Sequence, residues 1–209
     1  MTTPVVFDCD GVLVDSEALA WDAWRAVLTR YGTAPSDADI DVLTGRTEAD
    51  AYDHFARRVA LPRPRPFSEE LAIAISRRFA ASLEAFEDVE DTLEALVDRD
   101  VPLAVASSSS RWRLALSLSS TGLDRYFQVV VAGDEVDAGK PEPDVFLEAA
   151  RRLGFSPEDC VAVEDSAAGV TAAKRAGMFV VAVQRGGSAD LAAADRVVPR
   201  LTPASVVLE

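Results

Sequence analysis

The sequence predicts an α/β protein built on a doubly wound, Rossmann-like parallel sheet with an inserted helical cap. Short Val-rich runs bounded by turn residues recur along the chain without alternating, as expected of strands buried on both faces. From residue 88 onward, segments with helical periodicity fill the gaps between these runs, a pattern typical of βαβ units. Residues 16–86 contain helical patterns and no convincing buried strand, so we expect the core to be interrupted there.

The first strand is predicted at residues 5–7, and the helical insert follows it. Within the insert, helical periodicity is expected over four segments, at about 16–31, 36–43, 47–60 and 68–85. The proline-rich run at 61–66 favours an extended connector between two of these helices, and a recognition role is its alternative interpretation.

The core resumes near residue 88. We predict its strands at 103–106, 129–132, 161–163 and 179–183, and its helices at about 88–99, 111–121, 143–154 and 166–176. Gly122, Gly154 and Gly177 each follow a helical segment, where a left-handed C-cap is needed. The expected domains are therefore an α/β core of residues 1–15 plus 87–209 and a cap of residues 16–86, which would act as a lid over the sheet edge.

Composition narrows the possible partners and the compartment. The chain has 209 residues with 49% hydrophobic content, which is enough to bury a full core. Its 21 basic against 35 acidic residues give a net charge of −14, which argues against nucleic acid or an anionic membrane as partner. We see no membrane-spanning run or export signal, and two cysteines offer no disulfide framework, so a cytoplasmic location is expected. A single histidine, His54, excludes catalysis that depends on two histidines.

Two carboxylates end the first predicted strand, at Asp8 and Asp10. Held about 6 to 7 Å apart along a strand, they repel each other unless a cation or a proton lies between them. This arrangement suggests a metal site with a carboxylate nucleophile.

Three further polar clusters follow later strands, and in a parallel sheet all these strand ends meet at one edge. They are the serine run at 107–110, Lys140 before Pro141, and the pair Glu164-Asp165. Each cluster has a structural alternative. The serines could form only a turn and helix N-cap, Lys140 could be solvated, and the two acids could be helix caps.

Together the clusters describe phosphoryl transfer to a carboxylate. That chemistry needs a nucleophile, a cation, donors for the phosphate oxygens and an acid for the leaving group. Backbone N–H groups and hydroxyls at a helix N-terminus can hold phosphate, and a fixed lysine can offset its charge. Mg²⁺ is the cation that fits best, because it takes one or two carboxylates and completes its shell with water and substrate phosphate.

The chain resembles the haloacid dehalogenase-like superfamily of aspartate-nucleophile phosphotransferases. Four segments match its motifs in order along essentially the whole chain, namely residues 8–11, Ser107-Ser108, Lys140-Pro141 and residues 164–169. The insert resembles the cap of the branch that holds small sugar-phosphate phosphatases and β-phosphoglucomutase.

The resemblance implies a role for each matched residue. Asp8 would attack phosphorus and bind Mg²⁺. Asp10 would protonate the leaving group and then activate water, and its backbone carbonyl would bind the metal. Ser107 and the Ser108 backbone would hold phosphate, Lys140 would offset charge, Asp165 would bind metal directly, and Glu164 would do so directly or through water. Ser109, in the same serine run, is a further candidate for contact with the substrate.

Cap residues are expected to decide the substrate. We expect the loop containing Gly45 and Arg46 to face the site, where Arg46 could meet the far end of an anionic substrate; a solvated arginine is the alternative. Trp24 could line the pocket or pack in the core. Ala20 and Glu48 stand where the mutase carries a histidine and a phosphate-binding arginine, which favours simple hydrolysis.

We therefore expect a Mg²⁺-dependent phosphatase that acts on a small phosphorylated metabolite, a sugar phosphate, through an aspartyl-phosphate on Asp8. A sugar-phosphate mutase and a non-catalytic phosphate-binding protein are the alternatives. The sequence does not determine the oligomeric state, for which a monomer is the working expectation.

Overall fold

The computed structural model describes residues 3–43, 46–185 and 189–207. Its centre is a six-stranded sheet in which every pairing is parallel. The strands are β1 (Val5–Phe7), β2 (Leu103–Ala106), β3 (Val129–Val131), β4 (Val161–Glu164), β5 (Phe179–Val183) and β6 (Arg196–Val198), in the order β3-β2-β1-β4-β5-β6. Because β1 pairs with both β2 and β4, the residues that follow β1 lie at the middle of the sheet edge.

The helices of the described residues are α1 (Glu17–Thr29), α2 (Asp37–Leu43), α3 (Glu48–Ala56), α4 (Pro64–Ser82), α5 (Val89–Val97), α6 (Arg111–Thr121), α7 (Asp144–Leu153), α8 (Ala167–Ala176) and α9 (Pro203–Val206). Helices α5 to α8 lie within one or two residues of their predicted bounds at nearly every end. Gly122, Gly154 and Gly177 cap α6, α7 and α8 in left-handed conformations, at φ values of 69°, 83° and 87°.

Side chains of successive strand residues enter two different apolar layers, which makes the sheet doubly wound. Val5 and Phe7 belong to a cluster that contains buried residues of α5 and α6. Val6, between them, belongs to a second cluster with buried residues of α7 and α8. The predicted fold class is confirmed, because both faces of the parallel sheet are covered by helices.

The insert consists of α1 to α4 and lies between β1 and α5. Its core is aromatic: the Trp24 ring lies 5.4 Å from that of Phe67 and 5.8 Å from that of Phe55. The prediction of an extended connector over 61–66 is wrong at its second half, since α4 begins at Pro64. Proline suits the first turn of a helix, where its missing N–H would have no partner anyway.

Two short elements near the C-terminus were not predicted. β6 has only three residues, and none of them is buried at the sheet edge, so no apolar run marks it. α9 has four residues and is closed by a capping box between Thr202 and Ser205. Across the described ranges, no helix combines the length and apolarity that crossing a membrane requires.

Candidate active site

Asp8 and Lys140 form a buried ion pair at the middle of the sheet edge. Lys140 Nζ donates to Asp8 Oδ1 at 2.5 Å, to Glu164 Oε1 at 2.6 Å and to the carbonyl of Ala106 at 3.1 Å. The three acceptors match the three hydrogens of the ammonium. Burial alone would lower the pKa of Lys140, but Asp8 and Glu164 raise it above its ordinary value. The lysine is therefore held in its charged form.

Three carboxylates face one another beside this lysine. Oxygen atoms of Asp8, Glu164 and Asp165 all lie within 4.8 Å of one another. Burial and, to a smaller extent, the neighbouring acids raise the pKa of Asp165 well above its usual value. The same causes raise the pKa of Asp8 to about 8, although Lys140 acts to lower it. One ammonium cannot offset three carboxylates, so the cluster fits a divalent cation bound by oxygen ligands.

The three acids are not equivalent. Glu164 Oε1 accepts from Lys140, and its Oε2 accepts from the backbone N–H groups of Asp165 and Ser166 and from the Ser166 hydroxyl. These four donors occupy the Glu164 carboxylate, which leaves Asp8 and Asp165 as the acids better placed for direct metal binding.

Two glycines make room for these acids. A Cβ at Gly11 would lie 1.9 Å from Asp165 Oδ2, and a Cβ at Gly169 would lie 1.7 Å from Glu164 Oε1. Gly11 also adopts a left-handed conformation, with φ of 79°. Any other residue at either position would displace a carboxylate of the site.

Asp10 is held by a set of donors different from those of Asp8. Its Oδ1 accepts from Arg113 Nη2 at 3.0 Å and from the Ser16 hydroxyl, and its Oδ2 accepts from Ser109 Oγ at 2.7 Å. Burial would raise the pKa of Asp10, but Arg113 and the two hydroxyls outweigh it and lower that pKa.

The sequence analysis did not identify Arg113 or Ser16 as site residues. A signal for Arg113 exists: α6 begins with basic residues at Arg111 and Arg113, although the positive end of the helix dipole disfavours cations there. Basic side chains in such a place indicate nearby acids. Arg113 is almost buried and also contacts the insert, lying over the Phe79 ring at 5.7 Å.

The serine run lies between β2 and α6, as predicted. Ser107 is buried, and its Oγ accepts from the backbone N–H of Ser109 at 3.1 Å. Ser108 and Ser109 line the same pocket as Asp8 and Lys140. Ser109, predicted to contact substrate, also hydrogen-bonds to Asp10 and so helps to position that carboxylate.

On the side of the insert, the pocket is walled by Trp24, Arg46, Thr47 and Glu48. Trp24 satisfies both interpretations, since it lines the pocket while only 3% of its surface is exposed. Arg46 lines the pocket, is exposed, and donates from Nε to the Val42 carbonyl at 3.1 Å. Gly45, the other predicted loop residue, lies outside the described residues.

This pocket lies between the insert and the sheet edge, with about 660 Å³ of free space including its open mouth. It brings together Asp8, Asp10, Ser107, Lys140 and Asp165, which the sequence places after four different strands. A buried lysine, paired acids and hydroxyls at a helix N-terminus can together bind phosphate and transfer it to a carboxylate.

A family model described as haloacid dehalogenase-like hydrolase matches residues 5–183. A phosphorylated carbohydrates phosphatase of Thermotoga maritima is 34% identical over 187 residues, which cover 83% of this chain and 81% of that protein. A β-phosphoglucomutase of Mycobacterium tuberculosis is 34% identical over 221 aligned positions, covering 90% and 83% of the two chains.

Another relative, the bifunctional riboflavin kinase/FMN phosphatase of Arabidopsis thaliana, is 34% identical over 185 residues. The match covers 88% of this chain but only 48% of that longer protein. Among solved structures, a variant of CbbY from Rhodobacter sphaeroides in complex with xylulose-1,5-bisphosphate superposes with a TM-score of 0.85 at 26% identity, with both chains covered fully.

Proposed function

Because the chain belongs to the haloacid dehalogenase-like hydrolase family, we propose that it is a phosphatase that hydrolyses a small phosphorylated metabolite, specifically a sugar phosphate. The observation that carries the proposal is the convergence of Asp8, Lys140 and Asp165 in one pocket beside the serine run. The relative from Thermotoga maritima, named a phosphorylated carbohydrates phosphatase, supports the substrate class.

In the first step, Asp8 attacks phosphorus and becomes an aspartyl-phosphate. Lys140 donates to Asp8 Oδ1, which leaves Oδ2 as the attacking atom. Ser107 and the Ser108 backbone hold the phosphate oxygens, and Lys140 offsets their charge. Asp10 gives a proton to the leaving oxygen.

In the second step, Asp10 takes a proton from the water that hydrolyses the aspartyl-phosphate. Arg113 and the two hydroxyls hold the Asp10 carboxylate in place and ionised, which is the form that accepts the proton, although the lowered pKa of Asp10 makes it a weaker base. The first step needs the protonated form, which Arg113 disfavours. The contacts of Asp10 therefore suit its role as base better than its role as acid.

Mg²⁺ is the cofactor that the acidic cluster fits. Asp8, Asp165 and the backbone carbonyl of Asp10 would hold it directly, and Glu164 through water. When bound, Mg²⁺ would offset the charge of the cluster and of the phosphate.

We further propose that residues 16–86 form a cap over a core of residues 1–15 and 87–209. The pocket walls support this division, since one side comes from the insert and the other from the sheet edge. A cytoplasmic location fits the two free, buried cysteines, Cys9 and Cys160. The monomeric state stays a prediction.

A sugar-phosphate mutase is the alternative, and the relative named β-phosphoglucomutase keeps it in consideration. Glu48 argues against it, because a carboxylate lines the pocket where the mutase resemblance places an arginine for a second phosphate.

A screen of phosphorylated metabolites with Mg²⁺, compared with EDTA, tests the proposal. Release of inorganic phosphate from a sugar phosphate, lost with EDTA and restored by Mg²⁺, is expected. Incubation with β-glucose 1-phosphate and a trace of bisphosphate distinguishes the alternative, since a mutase yields glucose 6-phosphate. Failure to hydrolyse p-nitrophenyl phosphate and the whole panel would contradict a phosphatase.

A further inference from the structure

A second cleft opens beside the segments that join the insert to the core. It has about 640 Å³ of free space including its mouth. It is distinct from the substrate pocket, the one that holds Asp8 and Lys140 between the insert and the sheet edge. The described walls of the cleft include Asp15, Glu17, Phe86, Asp165 and Arg185.

The cleft and the substrate pocket meet at two acids. Glu17 and Asp165 are the described residues that line both of them. Asp165 also belongs to the carboxylate cluster that fits a divalent cation. The cleft thus gives a second approach from solvent to the proposed metal site.

The walls of the cleft are acidic, and their acids are available to a cation. The carboxyl groups of Asp15, Glu17 and Asp165 form no hydrogen bond or ion pair with any other described residue. Arg185, the cation of the described walls, is neutralised by Asp88 at 2.8 Å. Unpaired acids in a concave surface produce a negative potential that attracts cations.

The exposed charges at the two mouths have opposite signs. Among the described residues, Asp15 is the exposed one in the walls of the cleft, and Arg46 is the exposed one in those of the substrate pocket. A phosphorylated ligand is attracted by Arg46 and repelled by Asp15, and the reverse holds for a divalent cation. The two mouths therefore favour ligands of opposite charge.

We propose that the cleft is the route by which Mg²⁺ enters and leaves the site, and that Asp15 steers the ion into it. The inference rests on the proposed Mg²⁺ cofactor, and it separates the path of the metal from that of the substrate. Mg²⁺ gives up its hydration shell reluctantly, so an entering ion needs a wide and polar path. With two routes, the metal can be exchanged at Asp165 while a phosphorylated ligand fills the substrate pocket.

Entry through the substrate pocket is the competing route. On that route the ion passes the exposed Arg46 guanidinium, and a bound ligand closes the way. A charge at the mouth of the true route acts on the passing ion more strongly than on the bound ion, because Coulomb energy falls with distance. Reversing a negative charge at that mouth therefore slows both the association and the release of Mg²⁺.

Release of Mg²⁺ tests the route without turnover. The Mg²⁺-loaded protein is mixed with an excess of a fluorescent Mg²⁺ chelator in a stopped-flow instrument, which gives the dissociation rate constant. Calorimetric titration with Mg²⁺ gives Kd, and the two values together give the association rate constant. We expect Asp15→Arg to lower the association rate constant at least about fivefold and the dissociation rate constant at least about twofold. Asp15→Asn should lower both by less, and added salt should narrow the differences.

Two further variants are the controls. Asp53→Arg makes the same change of charge at an exposed position of α3 outside the cleft, and it should leave both rate constants unchanged. Arg46→Glu reverses the charge at the mouth of the substrate pocket and should leave the dissociation rate constant unchanged. Circular dichroism and thermal unfolding verify that each variant is folded, and Asp15→Asn decides the direction of the effect if Asp15→Arg is not.

Unchanged or faster release from Asp15→Arg would overturn the proposal, since a charge that acts only on the bound ion speeds its release. Equal slowing by Asp53→Arg would overturn it as well. Faster association and release in Arg46→Glu would assign the route to the substrate pocket.

Failure of the proposed function is distinguishable from failure of this inference. A protein that binds no Mg²⁺ contradicts both the cofactor and the route. A protein that exchanges Mg²⁺ as expected but releases no phosphate from any ester contradicts the phosphatase alone. An active, Mg²⁺-dependent phosphatase whose release rates ignore Asp15 contradicts the route alone.

Discussion

Asp8 and Asp10 are two residues apart but have opposite electrostatic surroundings. Asp8 is buried beside Glu164, which together with burial raises its pKa, although Lys140 pulls in the other direction. Asp10 lies against Arg113 and two hydroxyls, which lower its pKa. Divergent environments for paired carboxylates are how enzymes assign different duties to chemically identical groups.

Substitution of each acid should separate these duties. Asp8→Asn is expected to abolish turnover, because an amide cannot form the aspartyl-phosphate. Asp10→Asn is expected to slow turnover by about 10²- to 10⁴-fold through loss of the proton-transfer group, and to accumulate phosphorylated protein. Steady-state kinetics and intact-protein mass spectrometry with and without substrate measure both effects.

Glu142→Gln provides a control, since this exposed residue pairs with Arg175 on the surface. It should leave kcat unchanged. Normal turnover by Asp8→Asn would rule out the mechanism.

At the residue scale, the convergence of the acids could be predicted, but their separate partners could not. Asp8, Lys140 and Asp165 each follow a predicted strand, and parallel strands place their C-terminal ends at one edge. Arg113 lies within a helix, where its direction depends on how α6 is rotated against the sheet. The contacts of Glu164 Oε2 depend likewise on the turn at Ser166, which no spacing reveals.

At the scale of elements, the first turn of α8 determines where the Glu164 carboxylate can lie. Gly169 lies in the first turn of α8, and the Glu164 carboxylate occupies the space where its Cβ would be. Helix propensity alone favours alanine over glycine by about 1 kcal/mol, so packing rather than propensity explains this glycine.

Gly169→Ala is therefore expected to reduce kcat at least about tenfold. The added methyl group must push Glu164 away, and Glu164 cannot move without releasing Lys140 and the Ser166 turn. Activity measurements combined with thermal unfolding and circular dichroism would show a folded protein with a damaged site. An active variant with a raised Tm would show instead that Glu164 moves freely.

Within the insert, one buried acid joins α2 to α3. Asp39, in α2, accepts from His54 Nε2 at 2.7 Å and from the Arg58 guanidinium at 2.7 and 2.9 Å, and it closes a turn with Ser36. Arg58 is the main reason why the pKa of Asp39 lies well below its usual range. His54 is thus a structural partner of Asp39 within the insert.

Asp39→Asn should lower the free energy of unfolding by about 1–3 kcal/mol at pH 7, because hydrogen bonds to a charged group are lost. A carboxyl with a depressed folded-state pKa stabilises the protein above its unfolded pKa of about 3.9, and this contribution is lost as the pH falls below it. Urea unfolding at pH 7 and at about pH 3 should therefore show a gap between the two proteins that narrows in acid.

Asp53→Asn, on the exposed face of α3, is the matched control and should change stability by less than about 0.5 kcal/mol. A gap of the same size at both pH values would contradict a role for the Asp39 charge.

At the scale of the whole molecule, we expect the cluster of Asp8, Glu164 and Asp165 to lower the free energy of unfolding when no cation is bound. The pKa of Asp165 is raised by burial, then by Glu164, Asp8 and Glu17, with Lys140 alone opposing. An acid whose folded-state pKa is raised destabilises the protein near neutral pH, where the unfolded chain ionises it without cost. We therefore expect the acidic cluster to lower the free energy of unfolding until a cation binds it.

Metal-free Asp165→Asn should therefore be more stable than the unaltered chain by about 1–2 kcal/mol at pH 7. Mg²⁺ at 100 times its Kd should stabilise the unaltered chain by about 2.7 kcal/mol, and should stabilise the variant much less. Thermal unfolding with EDTA and with Mg²⁺ measures both differences. A variant that loses stability without metal, or keeps the full Mg²⁺ effect, would contradict the assignment.

The overall architecture was the most predictable level. Five strands and the core helices were found because apolar runs, helical periodicity and C-capping glycines agree with one another there. The start of α4 and the edge strand β6 were not, because prolines at a helix N-terminus resemble a linker and a half-exposed strand lacks an apolar run.

The contacts of Arg113 have a consequence for engineering. This single side chain belongs to the core helix α6, yet it lies over Phe79 of α4 and beside Glu48 of α3 while it holds Asp10. Residues 16–86 are therefore not an independent module. A chimera that takes this segment from a relative would also need that relative's residue at position 113. Without it, Asp10 would lose the contact that aligns it.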